Sequence, residues 1–343
     1  MTKIWTRYPK TPKSQEIIKA LGIGAVSCTA WANFVYPDGD YSNPNFSRIE
    51  ERLSSLSDGH PTHIHPIIAK GSGALWQQQE PHLEEMCFRV LDKYADKYQR
   101  WTIANELLTK RGMRIVNLYE AIAERYPHLE LWIGEYGLNS AFVSKGLPDW
   151  IYELKAAAPN FQGLVLVDYV DLRPGKQTTQ FIKHLGRLVP ISKSWLKGRQ
   201  PDTPHGWLEL LEAFISEKIA DGAITRLKVA GLELMSKNLA TIHKSCQRTD
   251  VKMALETSVF VGSEPDAKLI ARGALAYKLL LEMCETYGMD LWHWNLFDSD
   301  FSAPWLHTKE DSCGWFDKDH QMKDWAEAYL INGASNAQAL NHI

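Results

Sequence analysis

The sequence predicts an α/β fold, a (β/α)8 TIM barrel, and three observations carry that prediction. The 343 residues suit one large unit. Short runs rich in β-branched and aliphatic residues alternate with longer amphipathic ones. The alternation yields strand candidates at 22–29, 62–69, 101–106, 129–135, 163–169, 227–235, 251–258 and 289–296, eight in all. Strand then helix, repeated, means a parallel sheet, and eight units favour a closed barrel over an open doubly wound sheet.

Each connecting segment supports the same reading. "PHLEEMCFRVLDKYADKY", "IVNLYEAIAERY", "LPDWIYELKAAA", "GWLELLEAFISEKIA" and "AKLIARGALAYKLLLEMCETYG" place apolar residues at i, i+3 and i+4, the signature of one buried helix face. Gly22-Ile23-Gly24 lacks the third glycine of a dinucleotide fingerprint, which weakens a nucleotide-binding alternative. The chain therefore reads as a single barrel domain over 1–343. Residues 173–204, longer and more basic than a plain barrel connection, read as an insertion within it.

Composition narrows the function. With 45% hydrophobic and 23% charged residues the chain can bury a full core, and a net charge of −3 with interspersed signs gives no basic stripe for nucleic acid. "MTKIWTRYPKTPKSQ" has no apolar segment of signal-peptide length, and no later stretch reaches the roughly 20 apolar residues of a membrane span. The expectation is a cytoplasmic protein with no membrane partner, export by another route remaining open. Cys28, Cys87, Cys246, Cys284 and Cys313 are odd in number and show no C-x-x-C spacing, so they read as reduced thiols and not as zinc ligands. The 13 Trp, 13 Tyr and 11 Phe are mostly packing groups. Several of the tryptophans, Trp31, Trp76, Trp305 and Trp315, nevertheless lie in polar, turn-rich sequence where a sugar ring could stack on them.

The sharper signal lies at the strand ends, which face the ligand in a barrel. Glu106 ("TIANE"), Glu135 ("LWIGEYG"), Asp168 ("LVLVDYV"), Glu233 ("AGLELM"), Glu256 ("KMALETS") and Asp298 ("HWNLFDSD") all fall there. Any one of them can be a helix cap or a surface pair; a ring of acids around one mouth suits glycosidic bond cleavage. That chemistry needs one carboxyl to protonate the leaving oxygen and a second, ionised, to attack or to activate water.

These segments resemble the family 10 glycoside hydrolases, the endo-β-1,4-xylanases. Trp101-Thr102-Ile103-Ala104-Asn105-Glu106 is similar to the family's W-D-V-V-N-E motif at the end of the fourth strand, and Met253 to Ser258 ("MALETS") to its I-T-E-L-D-I strand. "LWHWNLFDSDFSAPWL", "GWFDKDHQMKDWAEAYL" and "YPDGDYSNPNFSRIEERL" resemble further family segments in order, so the likeness covers most of the chain. It implies Glu106 as acid/base, Glu256 as nucleophile, Asn105 as partner of the sugar 2-hydroxyl, His65 as a sugar contact, and Trp294 and Trp305 as an aromatic wall. Glu135 and Tyr169 complete the candidate substrate contacts. No metal or organic cofactor is implied, and the partner is an oligo- or polysaccharide.

The chain also departs from the family. Ala69 and Lys70 stand where its third strand continues to a Trp and a second His, its Asn and Lys after strand two have no counterpart in "SCTAWANF", and Met235 replaces its sixth-strand His if "AGLELM" is that strand. Counting strands from 22–29 would put Glu135, not Glu106, at the end of the fourth. The Asn before Glu106 favours Glu106, and "KIWTR" can supply the missing first strand, making 163–169 an extra one. Three functions stay open at this stage: a retaining β-glycoside hydrolase for β-1,4-linked xylan or xylo-oligosaccharides, a barrel that binds carbohydrate without turnover, and a barrel whose acids hold a divalent cation. Oligomeric state is not legible.

Overall fold

The structure is a computed structural model that describes residues 3–7, 11–27, 35–36, 40–54, 62–69, 77–136, 141–168, 170–171, 230–260, 267–293, 315, 319 and 321–323. The 173–204 segment and the helical pattern in "GWLELLEAFISEKIA" lie outside these residues.

Strands β1 (Ile4–Arg7), β2 (Gly24–Ser27), β3 (Thr62–Ile64), β5 (Arg100–Asn105), β6 (Glu130–Tyr136), β7 (Phe161–Val167), β9 (Lys252–Thr257) and β11 (Asp290–His293) pair in that order. β11 returns to β1, and every pairing is parallel. The result is a closed eight-stranded barrel with helices outside it. β4 (Ile68–Ala69) adds to β5 beyond β3, and β8 (Val170–Asp171) pairs with β10 (Val259–Phe260) as a two-stranded extension above β7 and β9. The helices are α1 (Pro12–Ala20), α2 (Ser47–Ser54), α3 (Leu83–Tyr94), α4 (Leu108–Arg111), α5 (Met113–Arg125), α6 (Ala141–Ala157), α7 (Ala230–Thr249) and α8 (Ala267–Tyr287). Among the described residues none is long and apolar enough to cross a membrane.

Seven of the expected strands form, and one does not. From Ala230 onward the 227–235 segment is helix α7, because Leu232, Met235, Leu239, Ile242 and Cys246 recur at helical spacing and are all buried on one face. A short aliphatic run such as "AGLELM" does not show its period until the residues after it are counted. Glu233 therefore lies within a helix and not at a strand end, and Met235 is a helical core residue. The eighth strand is β1, the "KIWTR" segment, so β7 is the regular sixth barrel strand and not an extra one. The expected 62–69 strand divides at His65-Pro66, since proline has no amide for the ladder.

Alternation along each strand separates two cores. Outward residues such as Trp101, Ile103, Leu131, Ile133, Leu164, Leu166, Met253 and Leu255 join the helices in the main core, which also holds the thiols of Cys87, Cys246 and Cys284. Inward, Trp5, Trp132, Val165, Val167, Ala254 and Trp292 fill the barrel. Three indoles fit because two neighbours are glycines. A Cβ at Gly24 would lie 2.3 Å from the Trp5 ring, and one at Gly163 would lie 2.2 Å from the Trp132 ring. Gly163→Ala is accordingly expected to destabilise the fold by about 1–3 kcal/mol, the usual cost of overpacking, read by urea unfolding. Beneath the indoles Arg100 lies over Trp5 and Trp132 and pairs with Glu130 at 3.0 Å, while Trp5 Nε1 donates to Asp290 at 3.1 Å, closing the floor.

Candidate active site

The first requirement of a site at this mouth is that polar side chains face inward at the strand ends. On β5 alternation alone would send Asn105 outward, since Arg100 and Thr102 point in. A bulge between Thr102 and Ala104 absorbs one residue and reverses the phase, so Asn105 faces the interior. There its side chain meets Gly134 of β6. A Cβ at that position would lie 2.0 Å from Asn105 Oδ1 and 3.3 Å from His65 Cε1. Glycine at 134 thus makes the space in which the Asn105 amide and the His65 imidazole approach each other. Asn105 Oδ1 is buried and has no hydrogen-bond partner among the described residues. A buried acceptor left unpaired in this way costs about 1–3 kcal/mol.

Glu106 follows with φ +59°, a left-handed backbone that a residue with a Cβ adopts at a cost. Its amide donates to Gly134 O at 2.9 Å, which continues the β5–β6 register for one more residue. Register then relates it to Glu256: Asn105 pairs with Gly134, Glu135 with Leu166, and Leu166 with Leu255. Glu106 and Glu256 therefore end the fourth and seventh barrel strands offset by a single residue in register.

Glu256 faces the interior between Val167 of β7 and Trp292 of β11, its register partners. His65 Nε2 lies 3.4 Å from Glu256 Oε2, both side chains being buried, and the His65 ring stands edge-on to Trp292 at 5.6 Å. Below His65 on the same face of β3 is His63, whose Nε2 lies 2.8 Å from Thr102 Oγ1 and whose ring stands edge-on to Trp132 and Trp292. Burial foremost, then the neighbouring His65 and Arg100, hold His63 well below the usual histidine range.

That depression has a sign. The unfolded chain takes up a proton near pH 6.5 while the folded chain resists it, so stability is full above that value and falls as pH drops below it. His63→Phe removes the titration. Its unfolding free energy is expected to vary less with pH than that of the wild-type protein between pH 7 and about pH 5, by urea titration.

Comparison with known proteins turns on this architecture. No family model and no curated protein sequence matches the chain, but solved structures do. The endo-1,4-β-xylanase from Caldicellulosiruptor owensensis aligns over 96% of both chains with a TM-score of 0.64 at 11% identity. Native xylanase 10B from Thermotoga maritima aligns over 96% of this chain and 94% of its own, with a TM-score of 0.62 at 12% identity. A glycosylated family 10 endo-β-1,4-xylanase from Gloeophyllum trabeum aligns over 99% of this chain and 96% of its own, with a TM-score of 0.59 at 15% identity. The fold is that of the family 10 xylanases.

Within this xylanase fold the remaining candidates separate. Glu135 shares the outward face of Leu131 and Ile133. It accepts the Thr109 amide at 3.1 Å at the start of α4 and the Tyr136 amide at 3.3 Å. Only 2% exposed, it is held above the usual carboxylate range by burial first, with Glu106 adding repulsion and the two amides opposing. Its contacts are those of a helix cap reached from outside the barrel. Asp168 is buried just past β7, and its amide donates to Glu256 O at 3.0 Å. Tyr169, Trp294, Trp305 and Asp298 lie outside the described residues. Among the described residues no group of three or more His, Cys, Asp or Glu is arranged to hold a metal ion.

Two residues at the mouth escaped sequence reasoning. Tyr136 follows Trp132 and Gly134 on the inward face of β6 and is 44% exposed, with Asp168 and Glu106 both close enough to help burial push its hydroxyl upward in pKa. Trp292 is the inward aromatic of β11. The alternation of each strand carried both signals.

Proposed function

We propose that the protein is a retaining β-glycoside hydrolase acting on β-1,4-linked xylan or xylo-oligosaccharides, with Glu106 as acid/base and Glu256 as nucleophile. The observation that carries this reading is the arrangement at the mouth: Glu256 beside His65 inside the barrel, and Glu106 directly after an inward Asn105 whose side-chain oxygen is buried without a hydrogen-bond partner among the described residues. The xylanases that share the fold supply the substrate class.

In this scheme the Asn105 side chain hydrogen-bonds the sugar 2-hydroxyl, which places the anomeric carbon over Glu256. Glu106 gives its proton to the leaving oxygen as Glu256 attacks, forming a glycosyl-enzyme. Glu106 then removes a proton from the water that releases the sugar, and the two displacements together restore the original configuration. His65 holds Glu256 in line. Proton NMR of the first product from xylo-oligosaccharides tests the stereochemistry: a β-anomer before mutarotation supports the reading, and an α-anomer contradicts it.

Gly134→Ala tests the Asn105 contribution. The added Cβ must displace the Asn105 side chain, so kcat/KM on xylo-oligosaccharides is expected to fall by roughly 10- to 100-fold with little change in the far-ultraviolet spectrum.

A second reading, a carbohydrate-binding barrel without turnover, draws on Val167 beside Glu256 and on Ala69 paired with Asn105, positions where apolar and small side chains face the site instead of hydrogen-bonding ones. Calorimetric binding of xylo-oligosaccharides with no product formed distinguishes it.

A further inference from the structure

Behind the strand that carries Glu256 lies a polar contact outside the reaction scheme. β9 and β11 run side by side, Glu256 in register with Trp292 and Thr257 with His293. Glu256 and Trp292 point into the barrel, so His293 points out, toward α8. There its Nε2 meets the Tyr277 hydroxyl, and the two rings stack with centroids 5.3 Å apart. The same hydroxyl accepts the Val259 amide at 3.3 Å, which leaves its own proton for His293. Trp315 closes the group edge-on, 5.7 Å from Tyr277 and 5.3 Å from His293, and all three rings are buried.

Val259 is the residue at which this strand leaves the barrel. Glu256 O and Ser258 O accept the amides of Asp168 and Val170, and from Val259 onward the chain belongs to the β8–β10 extension. At that step a side chain from α8 holds the Val259 amide. One phenol oxygen therefore connects the end of the Glu256 strand to the end of the Trp292 strand.

We propose that Tyr277 and His293 form a positioning pair that fixes Glu256 relative to Trp292 and His65. The kinetic consequence rests on the glycosidase reading above; the structural one does not. Removing the hydroxyl takes a partner from two buried groups at once, which loosens the turn next to Glu256 without emptying any core volume.

The test is Tyr277→Phe, which keeps the ring and its stacking. Two readouts are followed: hydrogen exchange of the amides in 252–260 by mass spectrometry, and steady-state kinetics on xylo-oligosaccharides. Faster exchange in that segment is expected, together with a fall in kcat of at least about tenfold and KM within about twofold, as misplacement of a reacting group requires. His293→Gln, whose side-chain carbonyl can accept the Tyr277 proton, is expected to keep most of the rate, and His293→Leu is not. This comparison also serves if Tyr277→Phe does not fold. Unchanged exchange overturns the pair whether or not the protein turns over; faster exchange with unchanged kcat overturns its link to Glu256. A wild-type protein that hydrolyses no glycoside refutes the enzyme reading alone, and the exchange result still decides the pair.

Discussion

Glu256→Gln is expected to lower kcat on xylo-oligosaccharides by on the order of 10⁵-fold, the scale on which loss of a covalent nucleophile acts. The substitution is nearly isosteric and leaves a hydrogen-bonding group opposite His65, so the fold and saccharide binding should survive. Two further results should accompany the loss. An activated 2-fluoro xyloside should label the wild-type protein on a peptide containing Glu256, because the slow second displacement strands the covalent intermediate. The variant should take no label. Full activity in Glu256→Gln, or a label on any other carboxylate, contradicts the assignment.

Glu106→Gln is expected to separate the two half-reactions. Proton donation to the leaving oxygen contributes about 10²- to 10⁴-fold, and it matters most for a poor leaving group. Hydrolysis of unactivated xylo-oligosaccharides should therefore fall by that factor, while formation of the glycosyl-enzyme from an aryl glycoside with a good leaving group should be largely spared. The backbone offers an independent check. Glu106 sits at φ +59°, so Glu106→Gly removes the acid and also the steric cost of that conformation. Its unfolding midpoint should equal or exceed that of the wild-type protein while turnover is lost. Equal loss of both half-reactions in Glu106→Gln would point instead to a general disturbance of the site.

The barrel was legible in the sequence because its signals are long. Amphipathic helices such as Met113–Arg125 and aliphatic strands such as Phe161–Val167 declare their periods over many residues. β1 has only four residues, and "AGLELM" has an aliphatic run that fits either period, so one expected strand was misplaced. The count of eight survived that error, and with β1 in place the fourth-strand position belongs to Glu106 and not to Glu135.

The fine structure of the site was less legible, for physical reasons. A bulge between Thr102 and Ala104 turns Asn105 inward, and nothing in "WTIANE" marks where the extra residue falls. Glu135 and Glu106 look equivalent as strand-end acids. They differ because one lies on the outward face and caps α4, while the other leaves the strand in a left-handed turn. His63 matters through its contacts with Trp132, Trp292 and Thr102 on other strands, which no local pattern records.

Release of new reducing ends from β-1,4-xylan by the wild-type protein tests the central claim most directly. The account predicts release that depends on both Glu106 and Glu256. No release from xylan or xylo-oligosaccharides, by a folded protein that still binds them, would contradict it and leave a barrel that holds carbohydrate without cutting it.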